Sequence, residues 1–233
     1  LSEIQSRAHD IVQATVTRVD PEKGIVAVDL GKGGEAILPR NEQVPGETYT
    51  EGQVLQVYVV DVVSGDRGAR VMISRTHPGL VKRLFELEVP EIYDGTVEVK
   101  AISREAGART KMAVWSKDEN VDPVGACIGP RGARVAKIVD ELGGEKIDIV
   151  RWSEDPAAFI SEALSPAKVV DVELLEGENR AARVTVPDHQ LSLAIGNRGQ
   201  NARLTARLTG YSIDIRPESG YYGEEPPVKK TQE

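Results

Sequence analysis

Cysteine is almost missing from this chain of 233 residues. Cys127 stands alone, so no internal disulfide can form, and the thiols are too few for a structural zinc site. Histidine is nearly as scarce, and His9, His77 and His189 are too scattered in sequence to point to a metal cluster. Long apolar runs are missing as well; none approaches the roughly 18 residues that cross a bilayer as a helix, so no membrane partner is expected. Residues 1–10 carry Glu3 and Asp10 and lack the basic stretch and apolar core of a secretory leader. With a lone thiol, the expected location is a reducing cytoplasm. An excess of positive charge is also absent: 29 basic against 37 acidic residues give a net charge of −8, where nucleic-acid binders are usually basic. The charge is not spread evenly, however. Residues 125–137 hold Arg131, Arg134 and Lys137 without an acid, and residues 194–207 hold Arg198, Arg203 and Arg207 without an acid. Two local basic sites are therefore compatible with an acidic total.

What is present is organised in three blocks. Residues 11–74 read as five short strands, at 11–19, 25–30, 35–38, 54–63 and 69–74. They are separated by Asp20-Pro21-Glu22-Lys23-Gly24, by Gly31-Lys32-Gly33-Gly34 and by Ser64-Gly65-Asp66-Arg67-Gly68, sequences that favour turns. A five-stranded OB barrel closes at this length. From His77 the period changes to a helical one, through Leu80, Leu84, Phe85 and Leu87, and Pro90 is expected to end that helix. Strands at 96–103 and 110–116 follow, then two helices flanking a glycine-rich loop, and a closing strand at 147–150.

That second block repeats. Ile128-Gly129-Pro130-Arg131-Gly132 returns 67 residues further on as Ile195-Gly196-Asn197-Arg198-Gly199, and Ile147-Asp148-Ile149 returns as Ile213-Asp214-Ile215. Two copies of a compact module fit this spacing better than a solenoid. The domain expectation is thus a barrel over 1–75, α+β modules over 76–152 and 153–217, and a disordered tail over 218–233, where Pro226-Pro227 and Lys229-Lys230 lie.

The repeated loop carries the chemistry. Glycines at its first and fourth positions let a phosphate backbone come close to the protein backbone, and the loop leads into a helix N-terminus that favours an anion. Arg131 and Arg198 occupy equivalent positions and can add charge-assisted contacts. Ile128 with Val135, and Ile195 with Leu204, are candidates for an apolar floor under the bases. A single Gly-x-x-Gly is more often a turn between helices; the duplication with a matched arginine reverses that balance. Cys127 reads as a small core residue, with no neighbouring histidine to activate it. Trp115 and Trp152 lie on or beside strands and read as packing residues. No catalytic residue and no cofactor is expected.

At Val89-Pro90-Glu91-Ile92, Arg104-Glu105-Ala106-Gly107-Ala108-Arg109-Thr110-Lys111, Asp122-Pro123-Val124-Gly125-Ala126-Cys127-Ile128-Gly129 and Leu193-Ala194-Ile195-Gly196, with Gly199-Gln200-Asn201, the chain resembles the NusA family of bacterial transcription elongation and antitermination factors. The resemblance covers about residues 8–217. It implies a multidomain fold, an all-β OB barrel of ribosomal-protein type followed by two α+β KH domains of the prokaryotic kind. It also implies single-stranded nascent or leader RNA, RNA polymerase and other antitermination factors as partners. The expected RNA-binding residues are Ile128, Gly129, Pro130, Arg131, Gly132, Arg134, Lys137 and Lys111 in the first module. In the second they are Ile195, Gly196, Asn197, Arg198, Gly199, Gln200, Asn201 and Arg203. Family members usually carry an N-terminal polymerase-binding domain, so the chain is expected to be a fragment. Tyr49 and Tyr58 are the barrel's only aromatic candidates for RNA contact, beside the charged Lys32, Arg40, Arg67 and Arg70. Two rival readings are an RNA-degrading enzyme built on KH and OB modules, and a scaffold that binds only proteins. The first is disfavoured by module order and the lack of a catalytic core, the second by the matched basic loops.

Overall fold

The computed structural model of the chain describes residues 2–220. After a short helix α1 (Ser2–Gln5), five antiparallel strands follow: β1 (Ile11–Asp20), β2 (Ile25–Asp29), β3 (Glu35–Leu38), β4 (Val54–Gly65) and β5 (Gly68–Ser74). Their order, β3-β2-β1-β4-β5, coils into a barrel that nearly closes where β3 lies against β5. Register slips in β1 between Val16 and Arg18 and in β4 between Val59 and Asp61 supply the bulges that let two long strands bend around the barrel. Val16, Val28, Leu38, Val57, Val59 and Ile73 fill its interior. This is the expected OB fold.

The next module contains α2 (Pro78–Glu88), α3 (Pro90–Tyr93), β6 (Val97–Glu105), β7 (Arg109–Ser116), α4 (Pro123–Ile128), α5 (Ala133–Glu141) and β8 (Lys146–Arg151). Pro90 does not simply end a helix, as the sequence pattern implied; it opens α3 at the first helical position, where its missing N–H costs nothing. Strands β6 and β7 form a hairpin, and β8 pairs parallel to β7. A parallel pair needs a crossover, here the α4–α5 pair, which carries the glycine loop. The same plan recurs as α6 (Pro156–Ala163), β9 (Asp171–Leu175), β10 (Ala181–Val186), α7 (Leu191–Ile195), α8 (Gln200–Thr209) and β11 (Ser212–Pro217), with β10 between antiparallel β9 and parallel β11. These are two α+β modules of the KH kind, with the strands preceding the helix–loop–helix.

The three units share their cores. Ile11 and Tyr58 of the barrel pack with Leu80, Leu84, Phe85 and Met112 of the first module. Arg75, only 2% exposed, spans the same junction: it forms a two-pronged ion pair with Glu47 at 2.8 and 3.0 Å and also donates to the Gln56 carbonyl and to Glu141. Between the α+β modules, Phe159, Ala163 and Leu208 pack on Ala113 and Val150 of the first sheet. Strand β7 is consequently buried on both faces from Thr110 to Val114, whereas β10 alternates, with Ala182, Val184 and Val186 buried and Ala181, Arg183 and Thr185 half-exposed.

Residues 218–220, assigned to a disordered tail from sequence, follow β11 and are held to the second module. The Glu218 N–H donates to Val186 O and Ser219 binds Asp188, while residues 221–233 lie outside the described residues. Among the described residues no helix is long and apolar enough to cross a membrane.

Candidate nucleic-acid interface

The two glycine loops adopt the same backbone. Gly129 and Gly196 have φ/ψ of 75/171° and 79/171°, Arg131 and Arg198 of 56/27° and 54/30°, and Gly132 and Gly199 of 73/16° and 75/14°. Both arginines thus sit in the left-handed region, uncommon for a residue with a Cβ and costly enough to need support from the surroundings.

The two glycines of each loop do different work. A Cβ on Gly196 would fall 2.6 Å from the Asn201 backbone nitrogen, and one on Gly129 would fall 2.5 Å from Cγ of Arg134. The first glycine is therefore demanded by the protein's own packing. A Cβ on Gly132 would meet nothing within 4 Å, and one on Gly199 only Arg203 Nη1 at 3.9 Å. The second glycine leaves an open face beside the N-terminus of α5 or α8, where helical N–H groups end and the helix dipole is positive. Pro130, Arg131, Asn197 and Arg198 are exposed around that face, and Gln200 is half-exposed at the start of α8.

The residue five places after the first glycine ties each loop down. Arg134 donates from Nη1 to Ala126 O at 2.7 Å and to Glu91 at 2.8 Å, linking α4 to α3. Asn201, at the equivalent place, donates from Nδ2 to Ala194 O at 2.9 Å and to Leu164 O at 3.0 Å, linking α7 to the end of α6. Asn201 is buried, so it braces the loop from behind and does not face solvent. It belongs to the inward stripe Asn201, Leu204, Thr205 and Leu208 of α8. Leu204 on that stripe is fully buried, which removes it from any apolar floor. The apolar side chains that do reach the surface are Ile128 and Leu193, with Ile195 and Val135 half-buried. Leu193 was missed from sequence; Leu191 and Ala194 point inward on α7 and leave it on the outer side.

Lys111 also departs from expectation. Its ammonium is fully buried, 3.0 Å from Asp148 and 2.6 Å from Ser165 O, and burial depresses its pKa against the opposing pull of Asp148. It locks the second module onto the first sheet. Lys137 is exposed, with Glu88 at 3.5 Å, and Arg203 is held by Glu105 and the Arg198 carbonyl. In the barrel, Tyr58 is buried and stacks on His77, ring centroids 4.3 Å apart, and the Tyr49 hydroxyl accepts from Val44 N–H. Burial raises the Tyr49 pKa. Both tyrosines are thus engaged in packing. Cys127 is fully buried, and that burial, with the nearby Glu91 charge, pushes its thiol up to about 12. Trp115 and Trp152 are half-buried around the Lys100 ammonium, 4.8 and 4.9 Å from the two ring centroids.

Residues 75–152 match the model of the NusA-like first KH domain, residues 156–222 that of the NusA-like second KH domain, and residues 5–74 that of the S1 RNA binding domain. The chain belongs to the NusA family. Among its relatives is the transcription termination/antitermination protein NusA of Halalkalibacterium halodurans, 58% identical over 213 residues, which make up 91% of this chain and 55% of that protein. The protein of the same name from Bacillus subtilis is 56% identical over 94% of this chain and 58% of its own length. That of Thermus thermophilus is 50% identical over 91% and 54%. The chain thus spans little more than half the length of these NusA relatives.

Proposed function

We propose that this chain binds single-stranded RNA without catalysing its reaction, through the two glycine loops of its modules at 76–152 and 153–217. The barrel at 1–75 contributes less. Each loop clamps the sugar–phosphate backbone of about four nucleotides, so RNA of roughly eight to twelve nucleotides engages both. Phosphates lie against the open faces of Gly132 and Gly199, helix N-termini and Arg131 or Arg198 supply positive charge, and bases rest near Ile128 and near Leu193 and Ile195. In the cytoplasm this serves control of transcription elongation, pausing, termination and antitermination with RNA polymerase and its antitermination partners. Relatives that are transcription termination/antitermination proteins, at 50 to 58% identity, support that setting.

The observation that carries the reading is that the second glycine of both loops presents an empty, positively framed face which the protein's own packing does not need. A catalytic reading has less support. The lone thiol is buried with a raised pKa, and among the described residues no group of His, Cys, Asp and Glu is arranged to hold a metal. For the barrel, the engaged tyrosines leave no free aromatic platform of the kind single strands stack on.

The test is a titration with short unstructured RNAs and duplex controls at several salt concentrations. It compares the wild-type chain with Pro130→Asp/Arg131→Asp and Asn197→Asp/Arg198→Asp, which keep all four glycines. Affinity should fall sharply and the log–log salt slope should flatten by roughly 0.7 for each lost phosphate contact, while melting is unchanged. Unchanged affinity in both variants would reduce the loops to chain turns.

A further inference from the structure

The β6–β7 hairpin looks like a plain connection in sequence, yet it meets all three units. Gly107 at its tip lies against the barrel, where a Cβ would fall 2.9 Å from Pro45 O. Its N–H donates to Glu145, whose buried carboxylate also binds Arg104 and Thr110, and Arg104 donates to Arg75 O and His77 O. On the other side, Ser103 Oγ donates to Leu204 O at 2.9 Å inside α8. Glu105, at the end of β6, grips Arg203 with two bonds, Nη2 to Oε1 at 2.6 Å and Nε to Oε2 at 3.2 Å. The same guanidinium donates from Nη1 to the carbonyl of Arg198 at 3.0 Å. Arg198 is the loop residue in the left-handed conformation. The corresponding place in the first module is Ala136, which has no side chain able to make this bond.

We propose that Arg203 and Glu105 are positioning residues for RNA at the second loop. Glu105 aims the Arg203 guanidinium at the Arg198 carbonyl, so the loop's strained residue is fixed relative to the first module rather than only to its own helix. Arg203 then acts through Arg198 and makes no phosphate contact of its own. This rests on the RNA-binding reading above. The planar fork of arginine suits the task, since it can hold a carboxylate with two nitrogens and still present a third. An exposed ion pair adds little stability, so the pair's effect lies in direction rather than in folding energy.

The sign of one substitution separates the two roles. On electrostatic grounds alone, Glu105→Gln removes an acid beside a phosphate site and should tighten binding. If the pair positions the loop, Glu105→Gln weakens it. The experiment titrates the whole chain with a random-sequence pool of twelve-nucleotide RNAs at several salt concentrations, for wild type, Glu105→Gln, Arg203→Met and the double variant. Positioning predicts a loss of about three- to tenfold in each single variant, no further loss in the double, and an unaltered salt slope. Tighter or equal binding by Glu105→Gln, or a slope reduced by about 0.7 in Arg203→Met, would overturn the proposal, the latter by making Arg203 a phosphate ligand. Failure of the wild-type chain to bind these RNAs would instead defeat the RNA reading itself, and the positioning role with it. Glu105→Gln keeps the side chain's shape and leaves the Ser103 and core contacts intact, and a melt of each variant confirms that the folded chain is what is titrated.

Discussion

Replacing the four loop glycines by alanine, one at a time, should split them into two pairs. At Gly132 and Gly199 the new methyl enters open space, and the only folding cost is a left-handed backbone carrying a Cβ, about 1–2 kcal/mol. For a chain of this size that lowers Tm by roughly 2–4 °C per kcal/mol. At Gly196 the backbone lies at φ 79°, ψ 171°, a region essentially confined to glycine, and the methyl must also displace the Asn201 backbone nitrogen from 2.6 Å. Strain of that kind costs on the order of 1–3 kcal/mol before the clash is counted, so Gly196→Ala should lose about 3 kcal/mol or more. Gly129→Ala carries the same backbone strain at φ 75°, ψ 171°, and its methyl must displace Cγ and Cβ of the tethered Arg134 from 2.5 and 2.9 Å, so it belongs with Gly196→Ala. RNA affinity should follow a different order. Gly132→Ala and Gly199→Ala place a methyl where the phosphates approach, so each should weaken binding at least about tenfold, or 1.4 kcal/mol, at a temperature where both variants are folded. Thermal melts and fluorescence anisotropy on the same four proteins give both orders. Wild-type affinity in Gly132→Ala and Gly199→Ala, with the expected small loss of Tm, would show that the open faces are not where the ligand sits.

Lys111→Met should cost about 3 kcal/mol, since it removes one partner of a buried pair while Arg109 still reaches Asp148 at 3.0 Å, and it should leave the RNA salt slope intact; a slope lowered by roughly 0.7 would return Lys111 to the phosphates. His77 caps α2 by accepting from Gly79 N–H, and burial lowers its pKa, so the unfolded chain takes up a proton before the folded chain does and stability is lost as pH falls below about 6.5. His77→Asn keeps a capping acceptor and should flatten the fall in Tm between pH 7 and pH 5; an unchanged pH profile would exclude His77 as its source. Cys127 should resist alkylation at pH 8 until the chain unfolds, because its thiol lies at about 12, and labelling at the rate of a free thiol would contradict its burial.

Much of the fold was legible because its signals are local. The barrel strands were found within one or two residues at most ends, since glycine and proline turns punctuate them. The duplicated module was legible because two loops must satisfy the same backbone geometry, and only glycine does so. What failed was burial of polar side chains. Lys111 and Asn201 looked like ligands because charge and hydrogen-bonding capacity are visible in sequence, whereas the Asp148 and Leu164 partners that justify burying them come from other elements. Asn201 and Leu204 were partly readable: with Thr205 and Leu208 they make an inward helical stripe, the period that marks a buried face. Pro90 marked the end of α2 correctly, and what went unread was α3, which opens on it and at four residues is too short to show a helical period. The pairing of Arg203 with Glu105, 98 residues away, leaves no local trace at all.

The shared core is the reason for treating the two KH modules as one surface. A short connector would by itself limit their relative motion but still permit it. In the structure, α8 carries the second loop at its N-terminus and contributes Leu208 to the core that joins it to the first sheet. The loop's position is therefore fixed by the same contacts that bury Ala113 and Val150. β7 shows the consequence: a strand buried on both faces has no solvent side to return to if the modules part, whereas β10, half-exposed on one face, keeps its own. Cutting the chain between the modules would expose Phe159, Leu208 and the apolar face of the first sheet together. Weakened binding by isolated modules would then report lost structure as well as lost linkage, and only substitutions within the intact chain can separate the two.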